Sequence, residues 1–434
     1  MRLLLVQPAH LRPDGTVFRS RKLPYPGLAL PLLAGMAPAD VEVEIVNDYS
    51  QRIDYRGGYD LVALSAMTPQ IHRAYQIADR FRGLGTKVVI GGFHASFAPQ
   101  EVLEHADAAA VGEAEEIWPR ILDDARSGRM EGIYRAERHP DLSNLPAPRF
   151  DLLKRNGYSL RATPIQTTRG CPKRCEFCSV HQFFGGSYRH QPIAHVLRDI
   201  NAAGTPFLFF VDDNIAADRS YSMELMEAIR PLRKIWGAQC NISAGDDDVF
   251  LSAARRAGCH SLFLGIESIN PEALKRAGKG FNVVKRYKEL LQNMMNHDIL
   301  PQASMIMGLD GDSEESFDAT YEFLMELKIP IAYFFILTPA PNTVLFERLV
   351  REGRLFDRDW SKYGGDKTIF YPTDMTPEVL DRRFWELLKR FYSPSSIVRR
   401  LFWPPRFSYT TLMALKYNVL HHRSLKCGNH PLRG

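Results

Sequence analysis

Three cysteines stand close together in the stretch Arg169-Gly170-Cys171-Pro172-Lys173-Arg174-Cys175-Glu176-Phe177-Cys178. A C-x3-C-x2-C spacing puts the thiols of Cys171, Cys175 and Cys178 on one loop, and thiolates are the usual ligands of iron–sulfur clusters. Three of them leave the fourth iron of a [4Fe–4S] cubane without a protein ligand, open to a small molecule carrying an amine and a carboxylate. Arg169, Lys173 and Arg174 would favour the thiolate form and offset the negative charge of such a cluster. A zinc loop is the competing reading. Zinc sites normally take four ligands from paired cysteine clusters, however, and Cys240, Cys259 and Cys427 are solitary. Cys240 and Cys259 lie in apolar strand contexts and read as small buried hydrophobes.

The elements around this loop repeat as strand and helix. Strands are predicted over 164–167, 207–211, 238–243, 261–266, 302–307 and 331–337. Helices are predicted between them over 193–202, 221–230, 247–257, 283–296 and 314–328. Six βα units predict a partial (β/α)6 barrel over 163–345, with the cysteine loop following its first strand. Polar residues at strand C-terminal ends are then the expected site positions. These are Asp212, Asp213 and Asn214 after the second strand, Asn241 and Ser243 at the third, and Glu267 at the fourth.

Residues 1–141 show a different α/β unit. Strands are predicted at 2–7, 41–46, 60–65, 87–90 and 108–111, with helices over 68–82 and 113–126. This is the pattern of a doubly wound, Rossmann-like parallel sheet whose ligands sit at the strand C-terminal edge. Gly91-Gly92 and Gly112-Glu113 follow two of those strands, where glycine permits positive φ and close backbone approach. A Pro-rich stretch, 142–162, reads as a linker. A mostly helical extension is predicted over 346–434, with Thr376 capping a helix over 377–391.

The chain resembles radical S-adenosylmethionine (SAM) enzymes of the subfamily with an N-terminal cobalamin (B12)-binding domain. The resemblance rests on the cysteine loop, Phe209-Phe210-Val211-Asp212-Asp213-Asn214, Gly265-Ile266-Glu267-Ser268 and Met305-Ile306-Met307-Gly308 in family order. It implies a [4Fe–4S] cluster on Cys171, Cys175 and Cys178 that cleaves SAM to a 5′-deoxyadenosyl radical. It also implies SAM contacts from Phe177, Asp212, Asp213, Asn214, Asn241, Ser243, Glu267, Ile306 and Gly308. Cobalamin contacts are implied for Ser65, Thr68, Gly91, Gly92, His94, Gly112 and Glu113. The implied activity is methylation of an unactivated carbon. A non-methylating radical oxidation or C–C bond formation, and a non-catalytic cobalamin-binding scaffold, are the alternatives. One departure stands out: none of the thirteen histidines lies in a D-x-H-x-x-G motif, so no lower cobalt ligand is assigned.

The whole chain carries a formal charge of +5, yet nine cations and no acid follow Glu386. The catalytic body is therefore net acidic and the tail basic. Phe402, Trp403, Phe407, Tyr409 and Tyr417 are interleaved with those cations, the pattern of a membrane-interface segment. No apolar run reaches the ~20 residues of a membrane span. The expectation is a cytoplasmic protein whose tail can touch the inner face of a membrane. Its expected partners are a small-molecule or lipid substrate and a reductant such as flavodoxin or ferredoxin. No recognised RNA-binding module is present, so nucleic acid is not expected as a partner.

Overall fold

A computed structural model describes residues 1–20, 26–154, 158, 162–402 and 409–431. The N-terminal sheet consists of β1 (Arg2–Gln7), β2 (Glu42–Asn47), β3 (Leu61–Ser65), β4 (Lys87–Gly91), β5 (Ala108–Val111) and β6 (Gly132–Arg135). All are parallel, in the order β2-β1-β3-β4-β5-β6. Side chains alternate between two cores, as a sheet buried on both faces requires. Leu4, Val6, Val62, Leu64, Val88 and Ile90 pack on the helix Ile71–Arg82. Leu3, Leu5, Leu61, Ala63 and Val89 pack on the helices Ala29–Met36 and Ala114–Arg126. In this strand order the connection reverses between β1 and β3, and the ligand crevice of such sheets opens there.

The second unit starts with β7 (Thr163–Ile165). An antiparallel ribbon of β8 (Thr168–Arg169) and β9 (Arg189–His190) then flanks the cysteine loop. Next come β10 (Phe207–Phe210), β11 (Ile235–Cys240), β12 (Cys259–Glu267), β13 (Leu300–Met307) and β14 (Ile331–Ile336). The six long-range partners β7, β10, β11, β12, β13 and β14 form one parallel sheet in chain order, the predicted partial barrel.

β14 ends the sheet, and the extension covers it. The Tyr392 hydroxyl donates to Ala332 O, Arg400 donates to Ile329 O and Pro330 O, and His430 Nε2 lies 3.0 Å from Phe334 O. Strand carbonyls that would otherwise invite another chain are thereby answered by side chains. The helix Pro377–Phe391 begins as expected, with Thr376 Oγ1 accepting from Val379 N.

Three expectations shift. The third barrel strand ends at Cys240, and residues 242–246 form a 3-10 turn, so Ser243 is not a strand residue. β6 and the helix Ala29–Met36 were not anticipated. The 142–162 stretch is packed over its described part. Leu142, Leu145 and Phe150 are buried, and a Cβ on Gly35 would stand 2.3 Å from Ala147 O. Within that stretch, residues 155–157 and 159–161 lie outside the described residues, as do Trp403 and Phe407 of the tail.

Candidate functional site

The cysteine loop is fastened at both ends. Gly170 sits at φ +90, and a Cβ there would stand 2.1 Å from Ser187 O, so only glycine lets the loop pass the ribbon. Gly278 (φ +69) gives similar clearance to Arg174 O at 2.9 Å, and Glu176 N donates to Ala277 O. On the far side Leu345 N donates to Glu176 O, and Arg348 pairs with Glu176 at 2.8 Å and Asp310 at 2.7 Å. The helix Val344–Arg351 therefore braces the loop from the extension.

Cys171, Cys175 and Cys178 are all partly covered free thiols. Burial pushes each thiol up, Cys178 to about 12, while Lys279 pulls Cys171 and Cys175 back down. Among the described residues, no group of three or more His, Cys, Asp or Glu side chains is set to hold a single metal ion.

Polar residues at the strand ends divide by what they touch. Asp212 is fully buried; its Oδ1 accepts from the backbone N–H and hydroxyl of both Thr167 and Thr168, fixing the chain entering the cysteine loop. Burial still raises its carboxyl to about 6. Asp213 is half-buried beside the cysteines, its Oδ2 accepting from Gly170 N at 3.1 Å. Asn214 Oδ1 accepts from Asn241 N at 3.2 Å and ties β10 to β11. Glu267 is held at φ +66 at the end of β12, with Lys279 Nζ 2.8 Å from Oε1 and the Ser304 hydroxyl donating to Oε2 at 3.0 Å. Lys279 is buried and lies 5.9 Å from the Phe177 ring centroid.

Ile306 and Glu267 line a cavity of about 200 Å³ with Asp312. Gly308 (φ +88) faces Leu380 at 2.7 Å from its projected Cβ, so the extension requires the glycine there. Ser243 is exposed on its turn. Asp212 has Oδ1 fully engaged by the loop, while its buried Oδ2 has no hydrogen-bond partner among the described residues.

A cavity of about 370 Å³ joins the two units. From the N-terminal sheet it is lined by Gln7, Ser65, Met67, Gly91, Gly92, Phe93, Gly112 and Glu113; from the barrel come Gln166, Arg169, Phe183, Phe184 and Val211. A Cβ on Gly92 (φ +98) would meet Ala66 O at 2.7 Å. Phe93 stacks on Phe183 with centroids 4.4 Å apart. Thr68 and His94, expected here, lie behind this wall. His94 is wholly buried, with Nδ1 3.4 Å from the Thr68 hydroxyl, Nε2 3.6 Å from Glu101 and its ring edge-on to Trp360.

Glu113 has a further role that its sequence position did not reveal. It accepts from Arg169, Arg189 and His139 at 2.5, 2.6 and 2.7 Å, and Arg169 also reaches Glu115. Arg169 thus joins the two units and does not face the thiols. Lys279, between Gly278 and Gly280 in sequence, was also missed; a lone lysine between two glycines was the available signal.

An open cysteine triplet at the mouth of a partial parallel barrel, facing a doubly wound domain, defines the class of SAM-cleaving radical enzymes with an added cofactor domain. Family comparisons agree. Residues 165–324 match the radical SAM superfamily, residues 16–122 the B12 binding domain, and residues 343–408 a domain of unknown function (DUF4070). The chain is 33% identical over 353 residues to the bacteriochlorophyllide d C-12(1)-methyltransferase of Chlorobaculum tepidum, covering 79% of this chain and 77% of that one. It is 25% identical to the hopanoid C-2 methylase of Rhodopseudomonas palustris, over 94% and 80% of the two chains. Its fold is similar to that of the cobalamin-dependent SAM radical enzyme OxsB solved with aqua-cobalamin and SAM. The TM-score is 0.71, with 14% identity over 98% of this chain and 72% of that one. The chain belongs to the radical SAM superfamily, in the branch carrying a B12-binding domain.

Proposed function

We propose that this chain is a cobalamin-dependent radical SAM methyltransferase acting on an unactivated carbon of a small, largely apolar substrate. The observation that carries the reading is the shared cavity. It places the C-terminal edge of the N-terminal sheet against the cysteine-loop end of the barrel, with both units contributing lining.

The residues fit the groups the family uses. Cys171, Cys175 and Cys178 would hold the cluster, since their spacing supplies three thiolates and the buried Lys279 cation offsets added negative charge. Ser65, Gly91, Gly92 and Gly112 form a small-residue cradle at the tips of β3, β4 and β5 along the cavity, suited to a cobalamin tail lying against the backbone. When bound, the cluster supplies the electron that cleaves SAM, and cobalamin carries the methyl group.

The protein's own work is positioning. Lys279 and Ser304 fix the Glu267 carboxylate at the end of β12, where it can accept hydrogen bonds from SAM. Asp213, which accepts from Gly170 N, and Phe177, within the loop, would offer a carboxylate and an aromatic ring to bound SAM. Asp212 holds Thr167 and Thr168, and through them the start of the loop. Leu28, Leu33, Met36, Met67, Phe93 and Phe183 give the cavity apolar walls that exclude water from reactive species. A flavodoxin or ferredoxin is the expected reductant.

The test is anaerobic reconstitution with iron, sulfide and cobalamin, followed by incubation with SAM, reductant and candidate polycyclic substrates. Formation of both 5′-deoxyadenosine and S-adenosylhomocysteine supports methylation. Deoxyadenosine without S-adenosylhomocysteine would assign a non-methylating radical reaction. SAM cleavage that persists in the Cys171→Ala/Cys175→Ala/Cys178→Ala variant would overturn the cluster assignment.

A further inference from the structure

The last described helix, Tyr409–Lys426, mixes polar and apolar residues on both its faces, burying Ala414 and Leu425 inward and exposing Leu412 among cations outward. Its inner face buries Thr410, Asn418 and His421 beside Ala414. Asn418 is wholly buried, donating to Pro330 O and accepting from Arg400. The outer face presents Leu412, 61% exposed, with Met413, Val419 and Leu420 partly buried around it. Leu412, Lys416, Val419 and Arg423 recur at i, i+4, i+7 and i+11, so they share one stripe along the helix.

Cations accompany that stripe. Lys416, Arg423 and Lys426 are exposed on this helix, and the helix Pro394–Phe402 packed against it adds exposed Val398 and Arg399. Among the described residues, none of Lys416, Arg423, Lys426 or Arg399 has an ion-pair partner, and no acid follows Glu386 in the chain. This contrasts with the helix Pro377–Phe391, where Arg383 and Arg390 are both paired with Asp318. The difference lies in the local balance of charge: Asp318 and Glu322 stand beside Arg383 and Arg390, whereas the last helices set Lys416, Arg423, Lys426 and Arg399 beside outward Leu412 and Val398 with no acid after Glu386.

We infer that the outer face of Tyr409–Lys426 is a docking surface for an anionic lipid bilayer. Exposed apolar side chains interleaved with unpaired cations, and no acid among them, complement an anionic headgroup layer: the cations meet the headgroups and Leu412 and Val398 reach the acyl boundary. The helix spans about 27 Å, enough to lay the whole stripe on a bilayer at once. Among the described residues no helix is long and apolar enough to cross a membrane, and the docking proposed here is peripheral. It stands on the exposed side chains alone and does not depend on the methyltransferase reading.

The experiment is vesicle flotation of the full chain as purified, without added cofactors or substrate. Vesicles of phosphatidylcholine alone are compared with vesicles containing 30% phosphatidylglycerol. Binding is expected only to the anionic vesicles and should weaken as salt is raised. The Lys416→Ala/Arg423→Ala/Lys426→Ala variant should bind roughly 150-fold more weakly, at about a fivefold loss per cation. Leu412→Ser/Val419→Ser should lose binding while keeping the charge, with circular dichroism unchanged because both positions are on the outer face. Absence of binding to anionic vesicles would overturn the inference. So would binding that neither variant changes. Equal or tighter binding to single-stranded nucleic acid, unaffected by Leu412→Ser/Val419→Ser, would reassign the face and also overturn it.

Discussion

Replacing Glu113 by glutamine tests how the two catalytic halves are held in register. The side chain is 3% exposed and neutralises two guanidiniums, Arg169 and Arg189, with His139 as a third partner. Burial alone would raise its pKa, but the two arginines hold the carboxyl below its ordinary value. Its contribution is therefore present above the unfolded value of about 4.3 and lost as pH falls through the lower folded value. At neutral pH, Glu113→Gln leaves buried guanidiniums facing an amide, a change that costs about 3–5 kcal/mol in buried pairs. Arg169 keeps Glu115, so the low end, about 3 kcal/mol, is expected. Arg169→Met should cost less, because Glu113 retains Arg189 and His139. A global transition is not two-state in a chain of several units, so local hydrogen exchange is the right assay. Peptides covering 165–171 should exchange roughly 100-fold faster in Glu113→Gln. In Glu113→Gln/Arg169→Met the two effects should fall short of adding by about 1–3 kcal/mol. Unchanged exchange in Glu113→Gln, or strict additivity in the double variant, would refute this picture of the interface.

Other expectations follow from single positions. Gly170→Ala places a Cβ 2.1 Å from a backbone carbonyl at positive φ. Iron per chain after reconstitution should fall by more than half, whereas Gly280→Ala, with its nearest contact at 3.6 Å, should retain it. Lys279→Met leaves Glu267 buried without its cation, costing about 3–5 kcal/mol in stability. Adding Glu267→Gln should recover stability but not SAM affinity by equilibrium dialysis, and recovery of both would remove Glu267 from the SAM site. Asp312 is buried with its carboxyl raised to about 7, so its stabilising, protonated form is lost as pH rises through that value. Asp312→Asn keeps an acceptor for Gly308 N and Leu309 N. It should raise the melting temperature relative to the parent at pH 8 and make no difference below pH 4; the opposite order would show that the two N–H donors stabilise the carboxylate.

Long periodic elements were legible in the sequence because burial on one or both faces writes itself into the residue pattern. β1 and β5 fall on their expected residues, and β14 differs by one. β6 was not legible, being four residues with only Tyr134 buried. Ala29–Met36 was hidden by Pro31, which a helix tolerates in its first turn. The third barrel strand lies three residues earlier than expected, because Gln239, Asn241 and Ser243 keep a polar alternation past the point where the backbone turns into 3-10 geometry.

The site was legible by position and much less by use. Asp212 and Asp213 are neighbours of one type, yet the first gives its Oδ1 to four donors from Thr167 and Thr168 and keeps Oδ2 unpaired among the described residues, and the second reaches only Gly170 N. A strand-end carboxylate can serve a ligand or serve the loop that holds the ligand, and its partners decide which. Those partners are remote: Asp212 meets Thr167 across 45 positions, Glu113 meets Arg169 across 56, and Asn342 meets the carbonyl of Phe97 across 245. His94 and Thr68 show the reverse error. Each follows a sheet edge at the right place in sequence, but their side chains turn toward each other and toward Glu101, so the backbone of Gly92 lines the cavity and the histidine does not. What spacing within one loop fixes, as in Cys171 to Cys178, can be read locally. What depends on two loops meeting cannot, and in this chain the interface between the sheet edge and the barrel mouth is made almost wholly of the second kind.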